Sequence, residues 1–347
     1  MVLVNMMHNQ QFEQQHPPTD LDSLLKRFTL ETMRSVRAIK DQNSIFDDER
    51  LVSCDSEDRV IVTDELEAIP LSPSGLTVPV VACDMSTVKI AETQEGLVWA
   101  VRGSIVIKKH GRTSALLIGP FAYTASSENV YNILQTLYQA LGMNGKRPIF
   151  SLDAAPKLVG NLFEKILQLY AASLLEGGVL LLDGSLTVGP LDSPVEVVRK
   201  IVDVAKHHGM GVAAFSKSTT ITFRGKSILS YETSIRPPYI VKLSCHDRAG
   251  WPVRNGFIYV SHLSPVYFPF RVDVSSKQSD TDLFKALLSS ENIIYGYPES
   301  LILAHQLAKI TRLDVISIKA SLEASLRVRF LSTFPVRSSI FSPLAYS

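Results

Sequence analysis

The sequence predicts an α/β protein built on a mixed sheet flanked by helices, and three observations carry that prediction. Apolar, β-rich segments with a short basic turn between them fill the stretch around residues 97–118, in the manner of an antiparallel meander. From Pro156 to Phe215 the pattern changes to helix, strand, helix, strand, which implies parallel pairing. Two apolar runs, Val78-Pro79-Val80-Val81-Ala82-Cys83-Asp84-Met85-Ser86 and Val179-Leu180-Leu181-Leu182-Asp183-Gly184-Ser185, each end on an aspartate followed at once by small polar residues.

With 347 residues, 46% of them hydrophobic, the chain can bury a sizeable core as one large domain or two small ones. Thirty-five basic side chains against thirty-four acidic ones leave a formal charge of +1, so any nucleic-acid site must come from local clustering. Cys54, Cys83 and Cys245 are widely spaced, which suggests neither a disulfide framework nor a zinc knuckle and fits a reducing, cytoplasmic compartment. No apolar run reaches the length of a membrane helix, and the start lacks a secretory pattern, so the expectation is an unexported protein without a membrane partner.

Taken in order, residues 1–19 are polar and aperiodic and read as a disordered arm. Leu21, Leu24, Leu25 and Phe28, continued by Met33, Val36 and Ile39, predict an amphipathic helix to about residue 41, capped by Asp20 and outside the strand-rich body, which either packs on its own domain, as most amphipathic helices do, or serves an oligomer interface. Pro70, Pro73 and Gly75 mark a loop before the first carboxylate strand. Leu97–Ile107 and Ser114–Ile118 are the meander strands, with Lys108-Lys109-His110-Gly111 as the turn, and a helix follows over about 127–141. Pro156–Leu175 is helical and leads into the strand that ends at Asp183. Ser193-Pro194-Val195-Glu196 has the form of a capping box for a helix with Val197, Val198, Ile201, Val202 and Ala205 on its apolar face. Gly211–Phe215 is the next strand. A meander followed by parallel strands alternating with helices suits an RNase H-like architecture.

A strand that delivers a carboxylate from a buried sheet into a cleft is a means of holding divalent cations. Phosphodiester hydrolysis needs an activated water and a stabilised leaving oxygen, and two divalent ions about 4 Å apart supply both. Mg²⁺ and Mn²⁺ prefer oxygen ligands, which makes Asp84 and Asp183 the candidates. Each alone is also what an ordinary polar turn after a buried strand looks like. No Gly-x-x-x-x-Gly-Lys-Ser/Thr loop is present, so an apolar strand ending on Asp does not indicate an ATPase. Gly-x-Gly-x-x-Gly, His-Glu-x-x-His and Gly-x-Ser-x-Gly are missing too.

In the last third, Gly296-Tyr297-Pro298 opens a helix that carries His305, placing Tyr297 and His305 roughly 80° apart around it and able to border one groove. Lys217, at a strand end, is a candidate phosphate contact. Arg248, Trp251 and Arg254 mix basic and aromatic groups as a single-strand contact does. Arg271 and Asp273, two apart on a strand, share a face and could pair to shape a cleft rim.

Asp84 in its apolar run, Leu182-Asp183-Gly184-Ser185-Leu186, Phe215-Ser216-Lys217-Ser218, Phe270-Arg271-Val272-Asp273 and Gly296-Tyr297-Pro298 with Ala304-His305 occur in the order in which the NurA nuclease family carries similar motifs. The resemblance covers about residues 78–312. It implies a manganese-dependent (or magnesium-dependent) DNA nuclease with an RNase H-like core. Such a nuclease acts as a homodimer beside the hexameric HerA helicase-translocase in resecting broken DNA ends, with 5′ to 3′ exonuclease and single-strand endonuclease action. Position by position, it implies metal ligation by Asp84 and Asp183, a third carboxylate at Glu164 with Glu176 as the alternative, and site roles for Tyr297 and His305, the latter as a ligand or proton shuttle. The family's first motif has Asp-Gly-Ser where this chain has Asp84-Met85-Ser86, which keeps the carboxylate but crowds the turn expected there.

The domain expectation is a 1–19 arm, a helical extension over 20–75, a NurA-like RNase H-fold nuclease domain over 76–312 and a C-terminal extension over 313–347. The helix near residues 20–41 and the apolar tail (Phe330, Phe334, Ile340, Phe341) are the first choices for a dimer surface. The rival readings are a catalytically silent DNA-binding or scaffold subunit and an RNase H-like nuclease of other specificity.

Overall fold

The computed structural model describes residues 21–37, 61–62, 66–93, 96–143, 151–188, 195–231, 233–243, 253–266, 268–326 and 328–330. The arm, Asp20 and the Ser193-Pro194 cap lie outside the described residues. Among the described residues, nine strands form the central sheet: β1 (Ala68–Pro70), β2 (Val80–Thr93), β3 (Gly96–Lys109), β4 (Arg112–Thr124), β5 (Gly178–Asp183), β6 (Met210–Ser216), β7 (Tyr239–Leu243), β8 (Phe257–His262) and β9 (Phe270–Ser275). Across the sheet they run β1-β7-β8-β9-β6-β5-β2-β3-β4. β2, β3 and β4 are an antiparallel meander, β2, β5 and β6 are mutually parallel, and β9, β8, β7 and β1 continue antiparallel from β6. The segment β4-β3-β2-β5-β6 is the RNase H-like arrangement that the sequence pattern predicts.

Among the described residues, seven α-helices flank the sheet: α1 (Leu21–Arg37), α2 (Ser127–Ala140), α3 (Ala155–Ala171), α4 (Val195–His207), α5 (Asp280–Ser290), α6 (Glu299–Ala308) and α7 (Arg312–Leu326). Alternation along the strands sorts the core into two layers. Val81, Cys83, Leu180, Leu182, Val212 and Ala214 face α1 to α4. Val80, Ala82, Val179, Leu181, Ala213 and Phe215 face α5 and α6. Because both faces are covered, β5 and β6 read as continuous apolar runs, Val-Leu-Leu-Leu and Met-Gly-Val-Ala-Ala-Phe.

α1 packs on its own domain, the first of the two readings, and does not lie outside the strand-rich body. Its stripe of Leu21, Leu24 and Phe28 is buried in the first layer, and the Phe28 ring lies 5.1 Å from Phe121 and 5.2 Å from Phe163. The described helix ends at Arg37, and α3 ends at Ala171, short of Leu175. Among the described residues no helix is long and apolar enough to cross a membrane.

Two boundaries that bear on the site differ from the sequence reading. β2 does not end at Asp84 but runs on to Thr93, because β3 pairs with it throughout: Asp84 stands opposite Ser104, Met85 opposite Gly103 and Ser86 opposite Arg102. Asp84-Met85-Ser86 is therefore strand, and Met85 crowds no turn; it packs on α3 instead. The second run does end on its aspartate. Gly184 takes a left-handed φ of +112° and donates its N–H to the Phe215 carbonyl at 2.8 Å.

Tyr297, in turn, does not share a helix with His305. It belongs to a two-residue strand paired with Ile294, turned through Tyr295 and Gly296 at φ of 55° and 82°, and α6 starts only after Pro298.

Candidate metal centre

Asp84 and Asp183 sit on neighbouring parallel strands. Cys83 is in register with Leu182, so the next residue on each strand carries a carboxylate, and both point to the α5–α6 face. His305 reaches the same point from α6. One ligand atom each from Asp84, Asp183 and His305 fall within 4.8 Å of one another.

α6 is held over β2 and β3 by hydroxyls. Ser104 donates to the Ala304 carbonyl at 2.6 Å, and Ser86 donates to the Ala308 carbonyl at 2.6 Å while accepting the Ile310 N–H at 3.3 Å. At the other end of the helix, buried Glu291 accepts the Ser300 N–H at 2.9 Å and the Ser300 hydroxyl at 2.8 Å, supplying the cap that Pro298 cannot. So fixed, His305 places Nδ1 2.7 Å from Asp84 Oδ2, and Asp84 Oδ1 accepts the Met85 N–H at 2.7 Å. Burial pushes the Asp84 pKa up; its bonds to His305 and Met85 oppose the shift, and the neighbouring Asp183 charge adds to it.

Asp183 is bound by Lys217, whose ammonium donates to Oδ2 at 2.6 Å and lies 5.4 Å from the centre of the Tyr297 ring. Tyr297 itself is buried against Phe215 and Phe270, with ring centres 5.5 and 5.1 Å away. Its hydroxyl is enclosed without a completed hydrogen bond among the described residues. Burial and the nearby Asp183 and Asp84 carboxylates keep that phenol protonated, with its pKa raised above the ordinary tyrosine value.

Glu164 is on α3, across the sheet from His305. It is half-buried, accepts a hydrogen bond from Gln168 Nε2 at 2.8 Å, and has its pKa raised by burial, with Lys165 opposing and Asp84 and Asp183 adding repulsion. Its charge is thus coupled to both aspartates, but it is not one of the three groups that share the 4.8 Å cluster. Glu176, the alternative, is exposed just before the far end of β5 and pairs with His208 at 2.7 Å.

Arg271 and Asp273 do pair, and what they shape is the loop after Asp183. The guanidinium binds both Asp273 oxygens at 2.8 Å, Asp273 accepts the Leu186 N–H at 3.0 Å and the Thr187 hydroxyl at 3.1 Å, and Arg271 also reaches Thr187 at 2.5 Å. In the backbone, Thr187 pairs with Arg254. Arg248 and Trp251 lie outside the described residues.

The roles of Ser86, Ser104 and Glu291 in anchoring α6 escaped the sequence reading. Ser86 was in view only as the small polar residue after Asp84, and Ser104 left its signal as a polar residue inside an apolar strand. The donor set, two carboxylates and an imidazole, suits a hard or borderline dication such as Mg²⁺ or Mn²⁺.

Among solved structures, the chain is similar to the NurA nuclease from Sulfolobus solfataricus, with 16% identity over 75% of this chain and 87% of that one and a TM-score of 0.40. A NurA bound to dAMP and manganese is 10% identical over 76% and 91%, with a TM-score of 0.42. Endonuclease V from Streptomyces avermitilis is 14% identical over 73% and 86%, with a TM-score of 0.34. No curated protein matches the chain. The family model described as the NurA domain matches residues 48–310, most of the sequence and all of the site above, and on that match the chain belongs to the NurA family.

Proposed function

We propose that this chain is a divalent-metal-dependent DNA nuclease, a 5′ to 3′ exonuclease and single-strand endonuclease that works as a homodimer with a HerA-type hexameric translocase in resecting DNA ends. Membership of the NurA family supports a nuclease, and the observation that carries the reading is the convergence of Asp84, Asp183 and His305. Asp84 and Asp183 hold the metal, with His305 as a nitrogen ligand or proton carrier and Glu164 as the third carboxylate. The oxygen donors favour Mg²⁺ or Mn²⁺, and the imidazole tips the choice to Mn²⁺. When bound, such ions polarise the scissile phosphate and activate the attacking water.

The chain's own groups do the rest. His305 has Nδ1 tied to Asp84 while half of its side chain is exposed, which leaves Nε2 free to carry a proton to or from the reacting oxygens. The enclosed Tyr297 phenol, kept protonated beside the Asp183 carboxylate, orients that carboxylate for the metal and its phosphate. Lys217, more than half exposed, reaches a phosphate beside it. Arg248, Trp251 and Arg254 contact the single strand beyond.

The test is cleavage of 5′-labelled single- and double-stranded DNA with Mn²⁺, alongside junction and RNA substrates and with Asp84→Ala and Asp183→Ala as controls. DNA is expected to be cut only by the wild type. An inactive wild type, or an aspartate variant that still cuts, refutes the assignment. Addition of a HerA-type ATPase is expected to stimulate cutting from duplex ends.

A further inference from the structure

Asp183 carries its own cation. Lys217 follows β6, the strand next to β5, and Ser216 just before it donates its hydroxyl to the Gly184 carbonyl at 2.5 Å, so the base of Lys217 and the loop after Asp183 are pinned together. From there the ammonium reaches Asp183 Oδ2 at 2.6 Å. The two side chains are unequally placed: 55% of Lys217 is exposed, against 24% of Asp183. The carboxylate is held and the ammonium can swing. In that same position the ammonium lies 5.4 Å from the centre of the Tyr297 ring.

We propose that Lys217 is a built-in counter-ion that occupies the Asp183 ligand position while no metal is bound and must vacate it for the metal to enter, so that the metal affinity of the centre is set by competition with this lysine. The inference rests on the metal-site reading above. A dication on Asp183 would sit about 2.1 Å from the same carboxylate oxygen. An ammonium still bonded to that oxygen would then lie only about 4 Å from it, where like charges repel strongly. One of the two must leave that oxygen, and the lysine, with more than half of its side chain exposed, is the one that solvent can receive. Loading the metal then frees the Lys217 ammonium for a phosphate of the substrate.

The experiment is a titration of the full-length protein with Mn²⁺ alone, followed by the paramagnetic resonance signal of the free ion, for the wild type, Lys217→Ala, Lys217→Gln, Lys217→Arg and Asp183→Ala. Removing the ammonium is expected to tighten Mn²⁺ binding about two- to fivefold, the range that a partly exposed ion pair spans. Lys217→Arg, which keeps the charge, is expected to bind like the wild type. The gain in Lys217→Ala should shrink as salt rises and screens the pair. Unchanged or weaker binding in both neutral variants overturns the counter-ion role while leaving the metal site standing. A wild type that binds no Mn²⁺, or an Asp183→Ala variant that binds as well as the wild type, removes the metal-site reading and the inference with it.

Discussion

The Ser104 hydroxyl donates to the Ala304 carbonyl at 2.6 Å, one residue before His305, while Ser104 itself stands in register with Asp84. The same rung of the β2–β3 ladder therefore supplies the carboxylate and fixes the height of the helix that brings the imidazole to it. Ser104→Ala is expected to cost about 1 kcal/mol of stability and to lower kcat about tenfold with KM little changed. Denaturant melts and steady-state cleavage rates check this, and a loss confined to stability refutes the positioning role.

Gly160 lets α3 lie directly on β2. A Cβ there would come within 2.7 Å of both Met85 Cε and Thr87 Oγ1, and Glu164 is one helical turn further on. Gly160→Ala is expected to destabilise the fold by about 1–3 kcal/mol and to weaken Mn²⁺ binding by lifting Glu164 away from the aspartates. Full metal affinity in a folded Gly160→Ala protein would argue against Glu164 as a ligand.

Asp273 is enclosed, with Arg271 as its charge partner. Truncating the carboxylate strands a buried guanidinium, so Asp273→Ala should cost about 3–5 kcal/mol, whereas Arg271→Met combined with Asp273→Leu should cost less than that single change. Urea denaturation of the two single variants and the double variant measures the coupling; additive losses would dismiss it.

Glu291 has its pKa raised by burial, with the Ser300 bonds and Lys108 opposing. The folded state then holds a proton that the unfolded chain has released, so stability falls as pH rises from the ordinary glutamate value, about 4.3, through the raised one. Glu291→Gln keeps an acceptor for Ser300 and removes the titration. Its melting temperature is expected to match the wild type in acid and to exceed it progressively across that window. A gap that widens towards acid instead contradicts the assignment.

Asp314 shows the opposite sign. Hydrogen bonds from Arg102 hold its pKa well below the usual carboxylate range, against the effect of burial and with Thr311 assisting. The stabilisation is present above about pH 3.9 and is lost as pH falls from there through the folded value. Asp314→Asn is expected to cost about 1 kcal/mol or less at neutral pH. It should loosen α7, read as faster amide exchange in residues 312–326; unchanged exchange would mean that the pair does not anchor the helix.

Much of this fold was legible because local patterns and tertiary packing agree. The apolar runs of β5 and β6, the stripe of α4 and the glycine after Asp183 each meet the environment that their sequence implies. The failures fall where a distant partner decides. Nothing near Asp84 says that β3 pairs with β2 far beyond it. Tyr295 and Gly296 form a hairpin turn where the proline after them suggests a helix start. The influence of Asp84 and Asp183 on Glu164 comes from separate strands, so nothing in the sequence around Glu164 signals it. Lys217 was legible as a cation, and its partner on the next strand was not.

Parallel pairing of β2 with β5 makes the backbone ladder a ruler for the site. Adjacent strands lie about 4.8 Å apart whatever their side chains, so the spacing of the two aspartates is fixed by amide hydrogen bonds. Side-chain changes around the cleft can alter what is bound and how tightly, but the backbone spacing of the two aspartates, one residue beyond the Cys83–Leu182 pair, belongs to the sheet and would shift only if the strands slipped in register.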